Sequence, residues 1–238
     1  MREPRRRGKA SGAEMVGVAR AAKIGCVVVL VAVTLAGGVV ARDQWTANKA
    51  EKSLREMIRL DRADDASVAR IHAMGRDCLL ACGSRVDMAA AAALVVRGQK
   101  ESDPEIRRTV LARAEGQLSE IVRRDPGLGE VWIWQARNQI LTGRGDPLQS
   151  LQRSYQVQPF DRTHALWRLS VINERWGEAP AALRIRALDE AFWYGSVFPP
   201  FARTVTAVMS NPAANLALTL RRKARVGDDQ SPDHNPIP

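Results

Sequence analysis

A chain of 238 residues with 26% charged and 5% aromatic residues is long enough for one domain plus appendages and apolar enough to pack a core. Ala, Leu, Arg and Glu dominate and strand formers build no alternating runs, which argues against a β fold and for an all-α one. The net charge of +10 does not argue for nucleic acid: thirty of the 36 basic residues are arginine, the usage of a high-GC bacterial genome, and part of the charge precedes a membrane segment that explains it.

Residues 1–23 form a basic leader. Arg2, Arg5, Arg6, Arg7, Lys9, Arg20 and Lys23 are opposed there only by Glu3 and Glu14. Ile24 to Ala41 then runs 18 residues without a charge. As a helix it spans about 27 Å, close to a hydrocarbon core of about 30 Å. Trp45 stands where an interfacial aromatic belongs. Val39-Val40-Ala41 fits a small-x-small cleavage pattern, but the apolar run exceeds a signal-peptide core of about 7–15 residues. A retained anchor over 24–41 is expected, in contact with the lipid bilayer. Cys26 stands at the start of the apolar run, most of which follows it, whereas a lipid-attachment cysteine would come after that run. The basic leader outweighs Arg42, Lys49 and Lys52, which Asp43 and Glu51 offset, so the N-terminus is expected in the cytoplasm and the rest in the bacterial periplasm.

Residues 42–83 read as a helical stalk and a first hairpin. The pattern from Asp43 to about Leu60 continues the membrane helix and carries Trp45, Leu54 and Ile58. A second helix starts near Ala66 with Asp64 or Asp65 as cap, and runs into "GRDCLLACGSR". On that helix Cys78 and Cys82 would share a face with Cβ atoms about 5–6 Å apart, wide for a disulfide that needs about 3.5–4.5 Å. Gly83 as a helix end would let them close. Two thiols on an apolar face with Ile71 and Met74, or a Cys78–Cys82 disulfide, both remain open. His72 lies about 120° from Cys78 around a helix, so these three residues cannot converge on a metal.

From residue 84 the punctuation becomes regular. Ser84 opens a third helix through "VDMAAAAALVV". Asp103-Pro104 opens the next in the N-cap and first-turn arrangement. That helix carries Val110, Ala114, Leu118 and Ile121 and stops at Asp125-Pro126. A helix with Trp132, Ala136 and Ile140 follows and ends at Gly143. Asp146-Pro147 opens another with Leu148, Leu151 and Tyr155, closed by Pro159. Two further helices carry Ala165, Trp167, Leu169 and Ile172, then Leu183, Ala187, Phe192 and Trp193, separated by Gly177 and Pro180. A last helix is capped by Asn211, with Pro212 in its first turn and Arg221, Arg222, Lys223 and Arg225 near its end. Residues 226–238 read as a disordered tail.

Pro126 and Pro159 are 33 residues apart, close to the tetratricopeptide period of about 34. The stretch of about 85–195, within an expected helical-repeat domain over 84–225, resembles tetratricopeptide-repeat proteins through loose motifs. Ala114, Leu118, Ile121 and Pro126 fall at the family's spacing for the second helix of a unit, and Trp132, Ala136 and Gly143 at or near that for the next first helix. One residue is missing before Leu148, and the third unit is longer than the second. The resemblance implies a tetratricopeptide-like array of antiparallel helix pairs following the membrane helix, acting through an extended surface. The block "LQRSYQVQPFDRTHALWRLSVINERW" is also faintly similar to small membrane-anchored proteins of bacterial exopolysaccharide and O-antigen assembly clusters. That likeness implies a place beside a polymerase, ligase or exporter.

No G-x-S-x-G, Gly-rich phosphate loop or H-E-x-x-H occurs, so no catalytic residue, metal ligand or cofactor site is assigned. The expected function is a scaffold that binds protein partners in the cell envelope, with no small-molecule cofactor and no nucleic acid. The alternatives are a scaffold for division or cytochrome maturation, or a polysaccharide-processing enzyme. Trp132 and Trp134 are about 200° apart on a helix, so one is expected in the core and the other on an interface. Trp132, Trp134, Arg137, Trp167 and Arg168 are the candidate partner-binding residues, since exposed aromatics beside arginines make interface anchors.

Overall fold

The computed structural model describes residues 12–61, 63–78 and 83–229. All regular structure among the described residues is helical, with no strand. Ten α-helices follow in order: α1 (Gly12–Arg59), α2 (Asp65–Met74), α3 (Gly83–Lys100), α4 (Pro104–Arg124), α5 (Gly129–Thr142), α6 (Pro147–Val157), α7 (Ala165–Glu174), α8 (Ala181–Val197), α9 (Ala202–Val208) and α10 (Pro212–Asp229).

The expected starts are built by the residues that signal them. The Asp103 carboxylate accepts from the amides of Glu105 and Ile106, and Asp146 from those of Leu148 and Gln149, each with proline in the first turn. Asp64 accepts from Ser67 to open α2, and Asn211 from Ala213 to open α10. Gly143 ends α5 in the left-handed region at φ 67°, a conformation open to glycine because it has no Cβ. Two expectations need correction. The helix before the cysteines ends at Met74 and continues only as a 3₁₀ turn over Gly75–Asp77, leaving Cys78 in extended backbone. Cys78 is therefore not on a common helix face with Ile71 and Met74. It is disulfide-bonded; Cys82, the partner considered from the sequence, lies outside the described residues. The second correction is at the C-terminus, where α10 runs on to Asp229, past the expected boundary at Arg225. Residues 230–238 and 1–11 of the expected tail and leader lie outside the described residues.

α1 is one uninterrupted helix of 48 residues, about 70 Å long. It contains the one candidate membrane span among the described residues, and its apolar stretch is uncovered, with Val27 to Val31, Val33 and Leu35 all more than half exposed. From Asp43 onward the same helix enters the protein core. Asp43, Thr46, Ala47, Ala50, Leu54 and Met57 are buried at three- and four-residue spacing, the period of a single helix face. Trp45 and Ile58 instead point to solvent. The buried stripe uses small residues, which lets α3 approach closely.

The middle of α3 has no outer face. Met88 through Val96 are nine consecutive residues of at most 6% exposure, five of them alanine. It packs against α1, α2, α4 and α5, and Gly98 near its end admits Leu111 of α4, which a Cβ would meet at 2.5 Å. Beyond it each helix touches its successor or the helix after that: α4 meets α5, α5 meets α6, α6 meets α8, α7 meets α8 and α9, and α8 meets α10. Ends are matched along these pairs. Asp87 at the start of α3 pairs with Arg124 at the end of α4, and Gly129 at the start of α5 lies against Gln158 just after α6. Two apolar cores result: Val131 and Trp134 of α5 close the first, and Ala136 of the same helix opens the second.

Candidate functional site

Polar side chains cross the domain from α1 to α8. On α3, Arg85 donates to Glu51 of α1 at 2.9 Å through Nε, to Gln44 at 2.7 Å and to Asn48 at 3.2 Å. Glu130 in the first turn of α5 comes next. Burial pushes its carboxyl above the usual range, His164 opposes this, Glu51 and Asp161 reinforce it, and Arg85 opposes it. Asp161, in the turn before α7, accepts from the amides of Thr163 at 2.8 Å and His164 at 3.2 Å, and its Oδ2 lies 2.8 Å from His164 Nδ1. Burial works to raise the Asp161 pKa, but the hydrogen bond and charge of His164, the Thr163 amide and Arg168 outweigh it and hold the carboxyl below the usual range.

Behind this turn sits a fully buried ionic knot. Arg168 of α7 and Glu190 of α8 are both 0% exposed and ion-paired. Arg168 Nε donates to Glu190 Oε2 at 3.2 Å, and Nη1 to the Gln158 carbonyl at 2.9 Å. Glu190 also accepts from the Tyr155 hydroxyl at 2.6 Å and the Asp161 amide at 3.1 Å. The guanidinium lies 4.1 Å over the Tyr155 ring. Burial, reinforced by the Glu190 charge, pushes the Tyr155 phenol well above its usual range, so it stays a donor. The knot ties the Gln158–Asp161 turn and α6 to α7 and α8, satisfying backbone groups that a buried turn would otherwise orphan.

The candidate partner-binding residues divide. Trp134 is 4% exposed and belongs to the first core. Trp132 is half-buried against that core and donates from Nε1 to the Pro126 carbonyl at 3.0 Å, so it fastens the α4–α5 turn. Arg168, expected on the surface beside Trp167, is in the knot, because a guanidinium on the same stripe as Ala165, Leu169 and Ile172 must face inward. Trp134, Arg137 and Trp167 do come together. The Arg137 guanidinium lies 5.3 Å from the Trp134 ring and 5.7 Å from the Trp167 ring, bridging α5 and α7. His164 meets Trp134 edge-on at 6.3 Å.

Asp161 and His164 form an orienting pair, yet among the described residues no hydroxyl or thiol is hydrogen-bonded to His164. Among the described residues the pair presents no assembled nucleophile and base. Glu190, Tyr155 and Asp161 were missed in the sequence, although a signal was there. Glu190 falls on the stripe Leu183, Ala187, Ala191 and Tyr194, and a charge on an apolar stripe requires a buried partner. No family model matches the chain, and neither a curated protein nor a solved structure matches it.

Proposed function

We propose that this chain is a bacterial inner-membrane scaffold whose spanning helix is built rigidly into a periplasmic, tetratricopeptide-like domain that holds protein partners. The observation that carries the reading is the continuity of α1, which is apolar and uncovered over its first part and part of the domain core from Asp43 onward. A helix shared in this way fixes the domain's distance and orientation at the membrane, which a flexible linker would not do. The repeat assignment is supported by contacts between successive and next-but-one helices and by the matched ends of the pairs α3–α4 and α5–α6, the nearest-neighbour packing of a solenoid. The candidate surface is the α5–α7 face around Trp167 and Arg137, and no reaction is assigned to it. Cell-surface polysaccharide assembly is the process suggested by the resemblance of residues 151–176.

The test is photocrosslinking in cells with the full-length chain. A photoreactive residue replacing Trp167 is expected to give a discrete protein adduct in the membrane fraction, and one replacing exposed Arg203 on α9 is not. Adducts of equal yield and pattern from both positions, or recovery of the chain from the soluble fraction, would contradict the proposal.

A further inference from the structure

Arg137 differs from five of the arginines that bridge helices. Arg85, Arg97, Arg124, Arg168 and Arg221 each reach a carboxylate. Arg137 makes no hydrogen bond or ion pair among the described residues, and its guanidinium lies over the Trp134 and Trp167 rings. Its side chain is half-buried, and burial lowers its pKa with no carboxylate acting to raise it. A guanidinium keeps its charge in such a place, and its five donors have a fixed fork geometry. Two indoles thus lie against the fork while, among the described residues, its hydrogen-bonding capacity stays unused. That is the form in which an arginine loses least entropy on meeting a planar oxyanion.

We propose that Arg137, clamped between Trp134 and Trp167, is the site where this scaffold takes a carboxylate from an acidic side chain of its protein partner. The inference rests on the scaffold reading and names the chemistry of its recognition surface. The same face disfavours a sugar acid. A stacked sugar ring needs an open aromatic face, and Trp134 is 4% exposed with Arg137 already over its ring. A side-chain carboxylate needs only the fork.

The experiment uses the full-length chain in lipid nanodiscs and a labelled hexaglutamate peptide, with hexaglutamine and hexagalacturonate as comparisons. Wild type is expected to bind hexaglutamate with a change in tryptophan emission, and at least tenfold more tightly than either comparison. Arg137→Gln should weaken hexaglutamate binding at least tenfold. Arg137→Lys, which keeps the charge but loses the fork, should weaken it severalfold with the helical circular dichroism unchanged. Arg203→Gln removes the same charge from exposed α9 and should leave the affinity within twofold of wild type. Equal weakening by Arg137→Gln and Arg203→Gln, or no binding by wild type, would overturn the site. Hexagalacturonate binding that matches hexaglutamate and depends on Arg137 would overturn the peptide assignment. The scaffold reading fails separately: if Trp167-position crosslinking gives no protein adduct while hexaglutamate binding still depends on Arg137, the site stands and the function does not.

Discussion

The two cores of this domain are held by opposite means. The first is built around α3, with five consecutive alanines at 1% exposure or less and no ionised group in the middle of the helix. Its ion pairs Arg85–Glu51 and Arg124–Asp87 sit at the rim, and Asp43 of α1 is the charged side chain buried beside it. The second is built around a charge, with Arg168, Glu190 and Tyr155 closed off from solvent. Close helix approach through small residues makes the first core depend on volume. Enclosure of an ion pair makes the second depend on each partner's presence. The difference follows from what each core must bury: helix surface alone in the first, and the irregular turn Gln158–Asp161 with its polar backbone in the second.

The largest effect expected from this contrast is at the knot. Arg168→Met leaves Glu190 buried without its cation and should cost about 3–5 kcal/mol, read by urea unfolding. Arg168→Met with Glu190→Leu should recover only part of that loss, since it removes the unpaired charge but leaves the Tyr155 hydroxyl, the Asp161 amide and the Gln158 carbonyl without these partners. If the double variant is as unstable as the single, the knot matters through its backbone hydrogen bonds rather than its charge.

Ala92→Leu places three carbons more in a position of 0% exposure and should cost about 1–3 kcal/mol in thermal or urea unfolding. A neutral outcome would show that the alanine core is loosely packed and would erase the comparison. Helix starts come next in size. Asp103→Ala and Asp146→Ala each remove a carboxylate that accepts two amides, and each should cost about 0.5–2 kcal/mol.

The smallest effects are in pH dependence, and two neighbouring carboxylates differ in sign. Asp161 is held below its usual range, so its contribution is present above the unfolded value of about 3.9 and is lost as pH falls through the folded one. Glu130 is held above its range, first by burial. Its contribution is complete below about 4.3 and is lost as pH rises through the raised value. In denaturant titrations at several pH values, Glu130→Gln should therefore gain on wild type as pH rises, and Asp161→Asn should lose on it. The same sign for both variants would contradict the difference in hydrogen bonding and charge partners between the two sites.

Much of the architecture could be read from local chemistry. The aspartate caps at 64, 103 and 146, the glycine stop at 143 and the apolar span are all set by neighbours within four residues. The site was legible only in part, because its members are far apart in the chain. Arg137 and Trp167 were singled out and do meet, whereas Arg168 was placed on the wrong side. The stripe of Ala165, Leu169 and Ile172 marks its inward side, but its partner Glu190 is 22 residues away and no local pattern names it. The part of α1 after Asp43 reads as a stalk from its charged residues and Trp45, while the face that packs is the quiet one of Thr46, Ala47 and Ala50. Small residues give weak periodic signals, and their burial appears only when α3 is placed against them.

The central claim is that one rigid helix passes from the apolar span into the domain core. Hydrogen exchange on the full-length chain in nanodiscs tests it at residues 38–57. A continuous helix predicts slow exchange without a break from the apolar stretch through Met57, because amides on the buried face are protected by tertiary packing as well as by the helix. Fast exchange confined to a few amides between residues 40 and 46 would reveal a hinge there and contradict the account.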